Sequence, residues 1–188
     1  MWKYEVLCRD KELSDLVEKH GEIEIPVADD AFQRLVVSVV NQQLSSSSAE
    51  AIKQRLFDGF MVTPEGILEA DDEQLRDTGL SRQKVRYLNE ISREFRQKGY
   101  SASYFDGVTD DEVTKELTSI HGVGDWTAKM FLIFVLGRKD VFPVEDLGIR
   151  NAMKEIYSYR KKTEMRRHAE SWKPYRSYAT LHLWRTID

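Results

Sequence analysis

Ten residues, Thr127 to Leu136 (TAKMFLIFVL), are apolar on nearly every side of a helix, a pattern that belongs at the centre of a domain and not on its surface. The run is about half the roughly twenty residues required to cross a bilayer. A chain that carries such a helix must surround it with other elements, and the remaining periodicity supplies helices. Phe32, Leu35, Val36, Val39 and Val40 recur at helical spacing, as do Val85, Leu88, Ile91 and Phe95. Period-two alternation appears only briefly, over residues 22–27. The expected fold is all-α. It comprises two helical subdomains, one from residues 1–57 plus 139–188 and one from residues 58–138, with a cleft between them.

The central helix is entered through Ile120-His121-Gly122-Val123-Gly124. Gly122 can turn the chain, and Gly124 then opens the helix from Asp125 to Leu136. The first backbone N–H groups of a helix lack intrahelical partners and carry the positive end of its dipole, which suits a phosphate. A glycine turn between two packed helices with no ligand fits the same letters, and His121 reads as a turn residue. After Gly137 stops the helix, Val141-Phe142-Pro143-Val144 is an extended apolar loop leading to Glu145-Asp146 and a second helical pattern from Leu147 to Tyr157. Asp is a favoured N-cap. That role is compatible with catalysis, because a carboxylate held at a helix start is kept ionised and fixed in direction.

Other segments mark helix starts. Ser45–Ser48 caps a helix through Ala49, Ile52 and Leu56; Thr63-Pro64 opens another, with Leu68 and Leu75 facing inward; Asp77–Lys84 is a second glycine turn leading into a long helix. One helix is expected near the N-terminus, from about Lys11 to Lys19, and one from Pro174 carrying Ala179, Leu183 and Trp184. The cationic run from Tyr159 to His168 reads as a solvated face.

The joint pattern L-x-x-I-x-G-V-G-x-W-T-A (from Leu117) and F-P-V-E-D-L-G-I-R (from Phe142) resembles the helix-hairpin-helix DNA glycosylases, specifically the alkylpurine (3-methyladenine) branch. V-V-N-Q-Q-L-S, G-L-S-x-x-K and W-x-P-Y-R-S-x-A extend the resemblance over most of the chain. It implies that residues 117–136 form the hairpin that grips the DNA backbone through Gly122, Gly124 and Thr127, and that Asp146 is the catalytic carboxylate. It implies that Gln42, Gln43 and Leu44 lie at the minor groove, Gln43 or Leu44 filling the gap left by an extruded nucleotide, and that Lys84 is a candidate phosphate contact. Trp126 stands where bifunctional relatives carry a Schiff-base lysine, so the implied enzyme is monofunctional. Trp126 and Tyr104 are candidate walls of an electron-rich pocket for a cationic purine. The backbone carbonyls of Thr118, Ile120 and Val123 are the implied ligands of a sodium or potassium ion in the hairpin.

Composition limits this reading. The single cysteine, Cys8, excludes an internal disulfide and a four-cysteine iron–sulfur cluster, and the expected enzyme requires no cofactor. Lys plus Arg number 28 against 32 Asp plus Glu, a net charge of −4, which argues against a broad basic DNA-binding face. Contact with double-stranded, damaged DNA is then local and its salt dependence shallow. No signal-like N-terminus or membrane span is apparent, and the expected protein is a monomer of the cytoplasm and nucleoid, or of the nucleus in a eukaryote. A non-catalytic hairpin module for damaged DNA and a glycosylase for a different lesion are the rival readings.

Overall fold

The computed structural model describes residues 2–187, and among them every regular element is helical. Twelve α-helices follow in order: α1 (Lys3–Leu7), α2 (Lys11–His20), α3 (Ala31–Asn41), α4 (Ser46–Gly59), α5 (Pro64–Glu69), α6 (Asp72–Asp77), α7 (Arg82–Lys98), α8 (Asp110–Thr118), α9 (Asp125–Phe134), α10 (Leu147–Tyr157), α11 (Lys162–Ala169) and α12 (Arg176–Trp184). The alternation at 22–27 does not form a strand. The chain divides into a central unit, residues 28–131, and a terminal unit from residues 2–27 and 132–187. The division passes through α9. Residues 28–57 thus belong with the central helices, not with the termini as the sequence suggested, because the apolar stripe of α3 packs on α7 and α4.

In the central unit most helices begin on a side-chain cap. Asp30, Ser45, Thr63, Asp71, Ser81 and Thr109 each accept a backbone N–H from the first turn of α3 to α8 respectively, satisfying donors that the helix itself leaves unpaired. At α8 the cap is reciprocal, Glu112 reaching back to the Thr109 N–H. Leu35, Val36, Val39, Ile67, Leu75, Leu88, Ile91 and Leu117 are buried, each worth about 1.5–3 kcal/mol relative to exposure. Ile67, not Leu68, provides the fully buried side chain of α5.

The terminal unit packs α12 on α2 and α10 around Leu7, Leu13, Ile149, Met153, Trp172, Ala179 and Leu183. Its N-terminal end is stapled by the side chain of Asp10. That carboxylate accepts from Leu13 N, Trp172 Nε1, Tyr157 Oη and His168 Nε2. Burial alone would raise the pKa of Asp10, but these bonds outweigh it and hold the group below the usual aspartate range. The expected N-terminal helix is preceded by the separate short α1, and α11 is a helix within the cationic run, anchored by Met165 and Ala169.

Candidate active site and nucleic-acid interface

The hairpin of the central unit consists of α8, the turn 119–124 and α9. Ile120 N donates to Leu117 O and Val123 N to Ile120 O, which tightens the turn, and Gly124 O then accepts the first bond of α9 from Ala128 N. The two glycines are required for different reasons. Gly122 has φ 99°, and a Cβ there would lie 2.2 Å from Cγ of Tyr87. Gly124 has ordinary φ, and a Cβ added to it would meet nothing within 4 Å. The fold therefore demands glycine at 122 and leaves Gly124, which is exposed, open to an approaching group. Trp126 is half-buried in the first turn of α9.

Other candidate DNA contacts in this unit are engaged within the protein. Thr127 is only 1% exposed, and its Oγ1 accepts from Gln42 Nε2 at 3.0 Å, the same amide donating to Gly122 O at 3.0 Å. A hydroxyl buried on an otherwise apolar helix needs such a partner. Lys84, read as a candidate phosphate contact, directs Nζ to Val40 O (2.7 Å) and Gln42 O (2.8 Å) at the end of α3. Burial lowers its pKa from the ordinary lysine value. Gln43, by contrast, occupies the left-handed region at φ 57°, and the neighbouring Leu44 is 39% exposed. Tyr104 lies against Tyr100 and Phe105, edge to ring, and its hydroxyl donates to Glu116. Its immediate role in the structure is to close an aromatic cluster.

The carboxylate site belongs to the terminal unit. Residues 141–144 are buried, and the loop is held at its base by α12. Ser177 N donates to Lys139 O, Val141 N to Ser177 Oγ, and Arg176 grips both oxygens of Asp140 through Nε (2.7 Å) and Nη2 (3.0 Å). Asp146 N then donates to Pro143 O, completing the turn that delivers Asp146 to the start of α10. Its Oδ1 accepts from Ile149 N at 2.8 Å and from Trp184 Nε1 at 3.0 Å. The cap expected of Asp146 is present, and a second donor, unforeseen in the sequence, shares the same oxygen. Trp184 is aligned by stacking on Phe134, ring centroids 5.8 Å apart. Gly148 makes this meeting feasible: a Cβ there would lie 2.4 Å from Ile187 and 3.1 Å from Asp146 Oδ1. Leu147, 63% exposed, adjoins the carboxylate, and Arg166 fixes the preceding Glu145 at 2.9 Å.

Trp184 had one signal available in the sequence: a tryptophan held near a core must place its N–H on an acceptor. The sequence could not say which. The partly exposed Asp146, aligned by two donors at the positive end of a helix, can stabilise a cation forming beside it.

The chain is 31% identical to the putative DNA-3-methyladenine glycosylase YfjP of Bacillus subtilis, over 94% of this chain and 66% of that protein. It is 35% identical to DNA-3-methyladenine glycosylase 1 of Schizosaccharomyces pombe, over 82% of this chain and 72% of that protein. Among solved structures it is similar to 3-methyladenine DNA glycosylase Mag1 of the same yeast in complex with abasic DNA, with TM-score 0.89, 30% identity, and coverage of 98% of this chain and 95% of that one. Residues 36–177, which include the glycine turn, the Gln42–Leu44 turn and Asp146, match the model of the HhH-GPD superfamily of base excision DNA repair proteins, and the chain belongs to that family.

Proposed function

We propose that this protein is a monofunctional DNA glycosylase that extrudes an alkylated purine such as 3-methyladenine from duplex DNA and hydrolyses its N-glycosidic bond. The observation that carries the reading is the setting of Asp146, a helix-start carboxylate whose Oδ1 is held by Ile149 N and Trp184 Nε1.

As the bond from C1′ to the purine nitrogen breaks, its electron pair leaves with the base and positive charge builds on the deoxyribose. Alkylation at N3 or N7 has already made the purine cationic, so it departs as a neutral base without needing a strong acid. A fixed carboxylate lowers the barrier by opposing the charge on the sugar, and water adds at C1′ and loses its proton to complete hydrolysis. Trp126 supports the monofunctional reading, since an indole at this position cannot form the Schiff base that a lysine would. It also supplies an electron-rich face for a cationic base. Gly124 and the exposed start of α9 receive a DNA phosphate, while Gln43 or Leu44 occupies the vacated stack.

The carbonyls of Thr118, Ile120 and Val123 fit a sodium or potassium ion by donor type, being neutral oxygens at the end of α8 and in the turn that follows it. Ile120 O keeps a lone pair beyond the bond it accepts from Val123 N. Such an ion would brace the turn and add positive charge near a phosphate.

Asp146→Asn is the test, because asparagine also caps a helix and retains an acceptor for Ile149 N. Release of methylated purine from DNA should fall by roughly 10²-fold or more while duplex binding is retained. Undiminished excision would remove Asp146 from the mechanism. Wild-type product strands should break only on alkali treatment, and breakage without alkali would contradict the monofunctional assignment.

A further inference from the structure

The turn that joins α3 to α4 is held more firmly than its length requires. It runs Gln42-Gln43-Leu44, with Gln43 at φ 57°, a left-handed conformation that costs a non-glycine residue about 1–3 kcal/mol unless its surroundings enforce it. The enforcement comes from outside the turn. Lys84, in the first turn of α7, reaches across to donate to both Val40 O and Gln42 O, placing a cation on the negative end of α3. The Gln42 amide reaches the other way, to Gly122 O and Thr127 Oγ1 of the hairpin. One clamp therefore fixes the backbone immediately before Gln43, and the other ties Gln42 to the hairpin turn and the first turn of α9. Neither amide nor ammonium is directed in this way by chance of a floppy side chain, since Thr127 is buried and Lys84 is half-buried.

We propose that Lys84 and Gln42 are positioning residues that hold Gln43 and Leu44 in a preformed wedge and join that wedge mechanically to the hairpin, and that Lys84 makes no phosphate contact. This rests on the glycosylase reading, in which the 42–44 turn fills the stack behind an extruded base. Preforming the turn removes an ordering cost that would otherwise fall on base extrusion. It also links the segment that grips the backbone to the segment that enters the duplex, so that both take up one register on DNA.

The experiment compares wild type, Lys84→Met and Gln42→Leu, each also carrying Asp146→Asn so that wedge insertion is read without chemistry. The DNA probes are a duplex with an abasic-site analogue beside 2-aminopurine, whose fluorescence rises on unstacking, and an undamaged duplex titrated over a range of salt. Thermal melting establishes that each variant is folded. The expected result is a several-fold smaller fluorescence rise at saturating protein for both variants, with the slope of log Kd against log salt unchanged on the undamaged duplex. A slope reduced by about 0.9, the signature of one lost phosphate contact, overturns the assignment of Lys84. An undiminished fluorescence rise in Gln42→Leu overturns the proposal even if Lys84→Met fails to fold. Absence of base release by the wild-type enzyme would instead count against the glycosylase reading, and the fluorescence result would still stand by itself.

Discussion

The starts of α9 and α10 meet the same requirement in opposite ways. Each must satisfy the unpaired N–H groups of a first turn. At α9 the residue before the helix is Gly124, exposed and with no side chain to contribute a cap. At α10 the capping position is Asp146, which supplies its own anion and satisfies Ile149 N internally. On the proposed reading the first start receives an anion and the second supplies a partly exposed one. A phosphate suits one, and a sugar turning cationic suits the other. One residue decides whether such a helix start carries its own anion.

The contrast is sharpest within the hairpin itself, where its two glycines should separate on substitution. Gly122→Ala forces a left-handed alanine, about 1–3 kcal/mol, and drives a Cβ into the Tyr87 ring, a further cost of about 1–3 kcal/mol. The two costs together, about 2–6 kcal/mol, are a large share of the roughly 5–15 kcal/mol that stabilises an ordinary domain, and a urea titration should show a large fall in midpoint. Tyr87→Ala in the same chain should recover the steric part and leave the backbone part. Gly124→Ala should cost up to about 1 kcal/mol in stability, as alanine is a poor cap, yet weaken duplex binding roughly tenfold by obstructing the open end of the helix. Unchanged binding by a folded Gly124→Ala would mean that α9 does not begin at a phosphate.

The second start depends on α12, and pH should reveal how much. His182 is fully buried on α12, both ring nitrogens lack a hydrogen-bond partner among the described residues, and its ring stacks on His20 5.7 Å away. Burial, then the charges of His20, Arg185 and Lys3, push its pKa down to about 4. Burial likewise lowers His20. The unfolded chain takes up a proton near the ordinary value of 6.5 and the folded chain only near 4, so stability declines as pH falls through that window and levels off below it. The loss from His182 is at most about 3 kcal/mol. Unfolding midpoints measured from pH 7 to pH 4 should fall steeply in wild type and less in His182→Leu. Asp10 acts lower: its depressed pKa contributes stability that is present above the ordinary aspartate value and lost as pH falls towards the folded one. A wild-type midpoint that is flat from pH 7 to pH 4 would show that His182 is not held neutral.

Much of this contrast was legible in the letters. Local periodicity and capping residues mark α3, α7, α9 and α10, and Asp146 is visible as a cap because Asp before a helical pattern has few other uses. Short helices were less visible: α1, α6 and α11 each span eight residues or fewer, too short for a stripe to declare itself. The least visible features were long-range bonds. Lys84 looks like a surface cation by sequence, and only folding brings it to carbonyls more than forty residues away. Trp184 looks like packing, and its bond to Asp146 spans 38 residues. Residues 28–57 were placed with the wrong unit for the same reason, since the partner of an apolar helical face is not written beside it.

Trp184→Phe is the finest test of what distinguishes the start of α10 from a mere cap. The substitution preserves a ring to stack on Phe134 and deletes one N–H from Asp146 Oδ1, leaving Ile149 N in place. A hydrogen bond to a charged group is worth about 1.5–3 kcal/mol when intact. Partial exposure of the carboxylate lets solvent replace some of that, so the rate of base release should fall about tenfold with little change in Kd or in melting temperature. Trp184→Ala should add a loss of stability through the missing ring. If the tryptophan serves packing alone, the phenylalanine variant will excise at the wild-type rate and only the alanine variant will be impaired. Helix geometry by itself would then suffice to aim the carboxylate.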